Sequence, residues 1–576
     1  MPPTMNPPHF APRARPLAPA PANASAPACT GARAGGRATA MSSTSAIALS
    51  LLALLAACGT PPAPNAATAA RPLGPAPDIV RPDTHQEADA MRVSTLDAQR
   101  VDRASFGVDA LALQQVGRLG YARWVDDQLH PKPWTPPAPV AERIAQMKIT
   151  REPLVARLRE EVVLKKAADT VADDEQKKTA QQAYQKGLNT QADEAAQRWL
   201  LVAANSPNQV QERLVWFWLN HFSIAQGKAN LRLFTGDYEA TLRAHALGKF
   251  RDLLEASAMH PAMLRYLDNE RNAGGQINEN YARELMELHT LGVDGGYTQA
   301  DVQEMARVLT GLGVRIDAGD AKVKPQWQSQ YLHVGAMEFN PNRHDQGYKT
   351  VQGQQVASGG IGEIHLVLDR LSRQPATARH VSMQLAQYFV GDVPPPALVD
   401  RMARRWLATD GDIAEVMKVL LTAPEYDASL GQHFKDPWEY VLSATRLAYD
   451  GSVVVNPGPM LGALRQLGEP PFGRETPDGY AMVEAAWASP GQMTTRFDVA
   501  RSLVGGNGNG NGGLFRIDGL AVPAPLPKAR VESPAWLRTQ APRESDATRQ
   551  ALLDTLQSHP GDWSWVATVS PEFMRN

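Results

Sequence analysis

Cysteine is nearly missing: the 576 residues hold two, Cys29 and Cys58. Neither lies in the body of the chain. That excludes a disulfide framework, a thiolate zinc site and a cysteine nucleophile there. A charge excess is missing too, since 58 Lys and Arg face 60 Asp and Glu for a net charge of −2. Arg13, Arg15, Arg33 and Arg37 sit in the first 57 residues with no acid among them. Taking their four charges from the total leaves the remainder at −6. This balance argues against a nucleic-acid-binding surface, which needs a basic field. No run reaches the 18 or so apolar residues that a spanning helix needs. Standard catalytic signatures are absent as well: no G-x-S-x-G elbow, no H-E-x-x-H and no phosphate-binding G-x-x-x-x-G-K-[ST]. The tract Gly505–Gly513 (GGNGNGNGG) is glycine-rich but follows no strand, so it reads as a flexible loop rather than a phosphate cradle. No internal repeat of fixed period is present.

What is there begins with the leader. Ala46 to Ala57 is a run of twelve residues, apolar except for Ser50. It is too short to span a bilayer and has the length of a signal-peptide core. It ends Leu55-Ala56-Ala57-Cys58, which resembles the bacterial lipobox, with Cys58 as the lipidation site. Residues 1–57 would then be removed, and 58–91, rich in Pro and Ala, would form a tether. Two starts fit. From Met41 the leader lacks a basic residue, and from Met1 it is unusually long but holds the four Arg. Gly59, where a retention signal would place Asp, favours the outer membrane by resemblance to lipoprotein sorting. The expected location is therefore the cell envelope, on an outer-membrane lipid anchor.

From about Val93 the apolar spacing is i, i+3, i+4 and alternating β-branched runs are scarce, so residues 92–576 read as one large all-α domain. Val210–Phe222 (VQERLVWFWLNHF) is predicted as a core helix, because Trp216, Phe217 and Trp218 cover most of its circumference. The stretch 174–204 is a long polar helix, one arm of a helical hairpin. Further helices are expected at about 237–257, 279–291, 299–312, 361–372, 376–390, 396–408, 411–422 and 435–449, with Pro and Gly between them. The polar segment 317–360 has room for a small β-hairpin.

The informative block is Asn278–Thr298, NENYARELMELHTLGVDGGYT. Asn278 is a good N-cap and Glu279 suits the first turn. At 100° per residue Asn280, Arg283, Glu284 and Glu287 share a face, with His289 roughly opposite Asn280. That face is either a solvated charged surface, with Arg283 bonded to Glu279 and Glu287, or a buried polar cluster. In the second case Asn280 and Arg283 orient the carboxylates of Glu284 and Glu287 for a ligand or for proton transfer.

Several longer stretches carry a resemblance: LNHF (Leu219–Phe222), ALGKFRDLLEASAMHPAMLRYLDNERN (Ala246–Asn272), NENYARELMELHTLGVDGGYTQADVQEMARVLTG (Asn278–Gly311), FNPNRHDQGYKTVQG (Phe339–Gly353), QPATARHVSMQLAQYFVGDVPP (Gln374–Pro395) and SPEFM (Ser570–Met574). In this order they resemble a large bacterial family, the domain of unknown function DUF1800, from about Thr95 to the C-terminus. Leu312 departs from the pattern, where Trp is common. The resemblance brings no settled activity. It implies export, and frequent company with a second family that resembles the alkaline phosphatase–sulfatase superfamily. A fixed NENYAREL string favours the buried cluster over a solvated face.

Among the histidines, His260 before Pro261 reads as a turn residue and His289 as core. His221 and His344 are the better site candidates. Asn220-His221 ends the aromatic helix, where polar tips can project into a cleft. His344-Asp345 lies in a polar loop ahead of Lys349, and such a step can fix a tautomer, bind a divalent cation or cap a turn. Two function classes follow. One is an envelope hydrolase or lyase acting on a glycan or other extracytoplasmic polymer. Glu284 or Glu287 would be its general acid/base, His221 or His344 its second proton-transfer group, and Arg283 and Lys349 its anion holders, with Asn220, Asn280 and Asp345 lining the substrate. The other is a noncatalytic binding or assembly lipoprotein partnering an exported sulfatase-like enzyme. Geometry discriminates them: an enzyme needs His221, Glu284 and His344 open and convergent, whereas a scaffold has them saturated.

Overall fold

A computed structural model describes residues 92–576 except 358, 451, 506–512, 517–525 and 530–532. The leader, Cys58, the tether and most of the Gly505–Gly513 tract lie outside the described residues. The described residues belong to one compact unit. The fold is mainly helical, with a few three-residue strands. Among the described residues no helix is long and apolar enough to cross a membrane.

The polar pattern at 174–204 is a helix, as its spacing predicts. α1 (Leu154–Asp169) and α2 (Asp174–Asn205) pack together as a helical hairpin. Asp173 starts α2 by accepting the Gln176 N–H at 2.9 Å. α3 (Gln209–His221) is the core helix: every residue but Gln211 is buried. Its first turn has no local cap. Gln128 supplies one from a distance, its Oε1 accepting the Val210 N–H at 3.2 Å. Trp216 stacks on Tyr388 with ring centroids 4.7 Å apart, and Trp218 donates its indole N–H to the Ala246 carbonyl at 3.0 Å. The single helix expected at 237–257 is instead two, Thr235–His245 and Phe250–Ala258. Backbone groups in the break serve distant partners: Ala246 accepts from Trp218, and the Phe250 N–H goes to Gly411 O at 2.9 Å.

α4 (Asn280–Glu287) and α5 (Gln299–Val308) follow, α5 opened by a capping box of Thr298 and Asp301. The polar segment then forms two small sheets rather than one hairpin. β1 (Leu312–Val314), β2 (Leu332–Val334) and β3 (Met337–Phe339) make an antiparallel sheet in the order β1-β3-β2. β4 (Lys349–Val351) and β5 (Gln354–Val356) make a separate hairpin. Its turn residues Gln352 and Gly353 have φ of 50° and 72°, the left-handed pair that matches strand twist in a two-residue turn. α6 (Ile361–Ser372) comes next.

α7 (Pro437–Ala448) is buried along its whole length and brings charge into the core. Asp436 caps it through a box with Glu439. The Glu439 carboxylate meets Arg103 at 3.2 Å, His433 at 3.1 Å and Arg213, all in the interior. Burial pushes its pKa up, but Arg213, His433 and Arg103 outweigh that and hold it well below the ordinary value. Arg213 also lies over the Tyr388 ring at 4.5 Å.

Candidate functional site

The NENYAREL block folds locally as its sequence dictates. Asn278 accepts the Asn280 N–H at 3.0 Å in the turn that leads into α4, whose N-cap is Glu279 rather than Asn278. Tyr281, Ala282, Leu285 and Met286 enter the core, and the Tyr281 hydroxyl donates to Ala258 O at 2.9 Å. Asn280, Arg283, Glu284 and Glu287 are left on the outer side, as the wheel predicts.

The buried cluster favoured by the sequence is not formed. Asn280 is exposed and donates to Leu267 O at 3.2 Å. Arg283 donates to Glu279 at 3.1 Å and to Gln299 at 2.9 Å, so neither residue orients Glu284. The i−4 ion pair, the bland alternative, is the one Arg283 makes. Among the described residues the Glu287 carboxylate accepts only a long bond, 3.4 Å, from the Tyr297 hydroxyl. The Glu284 carboxylate has no hydrogen-bond partner among the described residues. It is half-buried, and burial together with the charges of Glu287 and Asp478 raises its pKa, opposed by Arg283. Asp478, which the sequence reasoning missed, behaves oppositely. Burial raises it, but Arg474 at 3.0 Å and Thr476 hold it below the ordinary value.

Asn220 explains how Asp478 reaches this face. Its amide clamps the next loop from both sides, donating to Tyr480 O at 2.9 Å and accepting from Tyr480 N at 2.6 Å. Between them Gly479 has φ 73°, and a Cβ there would lie 2.4 Å from Asn220 O. Asn220 is thus a backbone clamp rather than a cleft-facing tip.

His221 is sealed in the core. Its Nε2 lies 3.2 Å from His289 O and its Nδ1 2.8 Å from the Gln384 amide. Burial, helped by the nearby His380, takes its pKa down to about 3, so the ring is neutral. A neutral ring has one N–H, and a carbonyl can only accept. Nε2 therefore carries the proton, and Gln384 must present its NH2 to Nδ1. His289, likewise buried, is driven well below its ordinary pKa, and its Nε2 has no partner. His260 shapes a turn as expected: its Nδ1 accepts the Ala262 N–H at 3.1 Å.

The His344 loop is equally closed. His344 Nδ1 lies 2.8 Å from Thr310 O, and Nε2 lies 3.3 Å from Glu363 with no side-chain surface exposed. Lys349 is just as enclosed and meets the same carboxylate at 2.8 Å, besides the carbonyls of Asp345 and Gly347. Burial raises Glu363, but His344, Lys349 and the Gly359 N–H outweigh it and leave its pKa lowered. Asp345 is gripped by Arg307 at 2.9 and 3.1 Å, which takes it to about 2. Glu363 lies in the first turn of α6, in a different element from His344, and no local spacing could have signalled it. These side chains tie the loop to α5 and α6. His344 packs against Thr310, Phe339 and Glu363, whereas the charges around Glu284 are those of Glu287, Arg283 and Asp478, so the structure does not bring the two into one site.

A family model described as protein of unknown function matches residues 99–575. The chain belongs to the DUF1800 family. No curated protein and no solved structure matches it. Within this DUF1800 chain the two grooves beside the α1–α2 hairpin have no lining residue from α4. Two grooves of about 690 and 680 Å³ flank the α1–α2 hairpin, and a cavity of about 20 Å³ lies among Trp199, Trp216, Trp438 and Asn220. Among the described residues no three His, Cys, Asp or Glu side chains come together to hold a metal ion.

Proposed function

We propose that this DUF1800 chain is an exported envelope protein, anchored by lipid at Cys58, that works as a noncatalytic binding or assembly module. The observation that carries this reading is the closure of the proton-transfer candidates. His221, His344 and Lys349 are buried, and their polar atoms meet neighbouring groups of the protein. The His344 and Lys349 side chains have no exposed surface and cannot touch a substrate without local unfolding, and a buried ionic network of this kind specifies packing instead. The outer-membrane location and a sulfatase-like partner belong to the same proposal.

A second reading, a hydrolase or lyase acting on an extracytoplasmic polymer, is favoured by one observation. Glu284 is pushed toward the protonated form while the nearby Asp478 is held ionised. Environments that split two carboxylates in this way assign an acid and a base. Glu284→Gln separates the two readings. Glu284 makes no ion pair, burial and the charges of Glu287 and Asp478 outweigh the pull of Arg283, and Arg283 keeps Glu279, so the variant should melt at or slightly above the wild-type temperature. A panel of envelope polymers, with and without chelator, is then offered to both proteins. Turnover by the wild type that disappears in Glu284→Gln overturns the noncatalytic reading.

A further inference from the structure

The two grooves beside the hairpin share Lys165 and Asp169, and so adjoin. Along α2 the residues Lys178, Gln182, Gln185, Asn189 and Asp193 line the first groove at intervals of three and four. They form one stripe about 22 Å long at 1.5 Å per residue.

The donors on this stripe are oriented from behind. Arg232 donates to Asn189 Oδ1 at 2.7 Å and to Gln185 Oε1 at 2.9 Å. A guanidinium only donates, so it turns both carbonyl oxygens toward itself. The two amide NH2 groups have no acceptor among the described residues and face away from Arg232. Asn230 joins the same lattice, accepting from Arg232 at 3.2 Å and donating to Glu161 and to the Tyr184 hydroxyl at 3.0 Å each.

The charges on the walls divide in the same way. Asp193 is paired with Arg465 and Glu270 with Arg265 at 3.1 Å, while Glu161, bonded by Tyr184 and Asn230, and Asp169, bonded by Gln181 at 3.4 Å, have neutral partners, so four lysines stand against two uncompensated carboxylates. Lys165, Lys166, Lys178 and Lys186 are exposed and make no ion pair among the described residues. The balance of uncommitted chemistry is thus ammonium groups and amide donors in an elongated channel. Val162 and Ile316 add an apolar edge to the second groove.

We infer that this channel binds an extended anionic polysaccharide, its carboxylates set against the lysines and its hydroxyl oxygens on the amides of Gln185 and Asn189. The inference rests on the binding reading above and names its ligand class. An apolar edge suits the C–H faces of sugar rings. Nucleic acid fits less well, because bases need aromatic faces to stack on and Tyr184 is the one aromatic lining the two grooves.

The test uses the full chain in detergent and a fluorescent uronate oligomer cut from alginate. Neutral dextran, single-stranded DNA and phosphatidylglycerol vesicles are the competing probes. The wild type should bind the uronate, and more weakly as salt rises. The double variant Lys178→Ala/Lys186→Ala should lose about tenfold in affinity and show a flatter salt dependence. Gln185→Ala/Asn189→Ala should lose about tenfold with the salt dependence kept. All four positions are exposed, so folding is not at stake. Variants that bind like the wild type, no uronate binding at all, or equal binding of dextran, DNA or vesicles would each overturn the inference. Its failure is distinct from failure of the noncatalytic reading, which is judged by turnover in Glu284→Gln.

Discussion

Acid should loosen this fold through its sealed histidines. His221 has a pKa of about 3 in the folded chain against 6.5 for an ordinary ring. A base whose folded pKa is depressed contributes its full stability above the ordinary value. That stability is lost as pH falls from about 6.5 toward 3, because the unfolded chain takes up the proton first. Between pH 7.5 and 5 the loss from this one ring is about 2 kcal/mol, from 1.36 kcal/mol per pH unit over the 1.5 units below 6.5. His289 and His380, both depressed by burial, act in the same direction. Asp436 acts against them: burial lifts its carboxyl to about 8, so acidification spares the folded state there. The wild-type slope alone therefore does not isolate His221, but His221→Gln does. Gln can still donate to His289 O and cannot titrate. The variant loses ring contacts with Phe222 and Phe217, so it should be less stable at pH 7.5. On moving to pH 5, however, it should lose about 2 kcal/mol less than the wild type, and the gap should close. Denaturant unfolding of both proteins at the two pH values measures this. A gap of the same size at both would refute the neutral, sealed His221.

The remaining predictions concern the core and the anchor. Trp218→Ala, at a residue with no exposed surface, should cost about 3–5 kcal/mol, and so should Trp216→Ala; melting curves that overlay the wild type would remove α3 from the core. Glu439→Gln should destabilise by about 3–5 kcal/mol, since Arg103 and Arg213 would keep buried charges without a counter-charge; a midpoint unchanged in denaturant would contradict the charge network. Cys58→Ala should leave the chain unlipidated and shift it out of the membrane fraction; mass measurement of the mature N-terminal peptide decides this, and an intact Met1 on the wild type would sink the proposal.

The helical class, the α1–α2 hairpin, the core helix around Trp216–Trp218 and the outer face of α4 could all be read from the chain. Each rests on local periodicity: apolar residues three and four apart must share a side of a helix wherever that helix goes. The turn at His260 was legible for the same reason, since its partner lies two residues on, whereas the N-cap expected at Asn278 falls at Glu279, with Asn278 making the turn ahead of it. The helix expected at 237–257 split because Trp218 and Gly411, both distant in sequence, claim backbone groups around its middle. The site candidates depended entirely on such distant partners. Nothing within reach of His344 announces Glu363, nothing near His221 announces Gln384, and nothing near Glu284 announces Asp478. A local pattern places a polar side chain on a face of its own helix. Whether that face meets a closed ionic network, as at His344 and Lys349, or remains open, as on α2 between Lys178 and Asp193, is set by packing against other elements, and only the tertiary structure decided it.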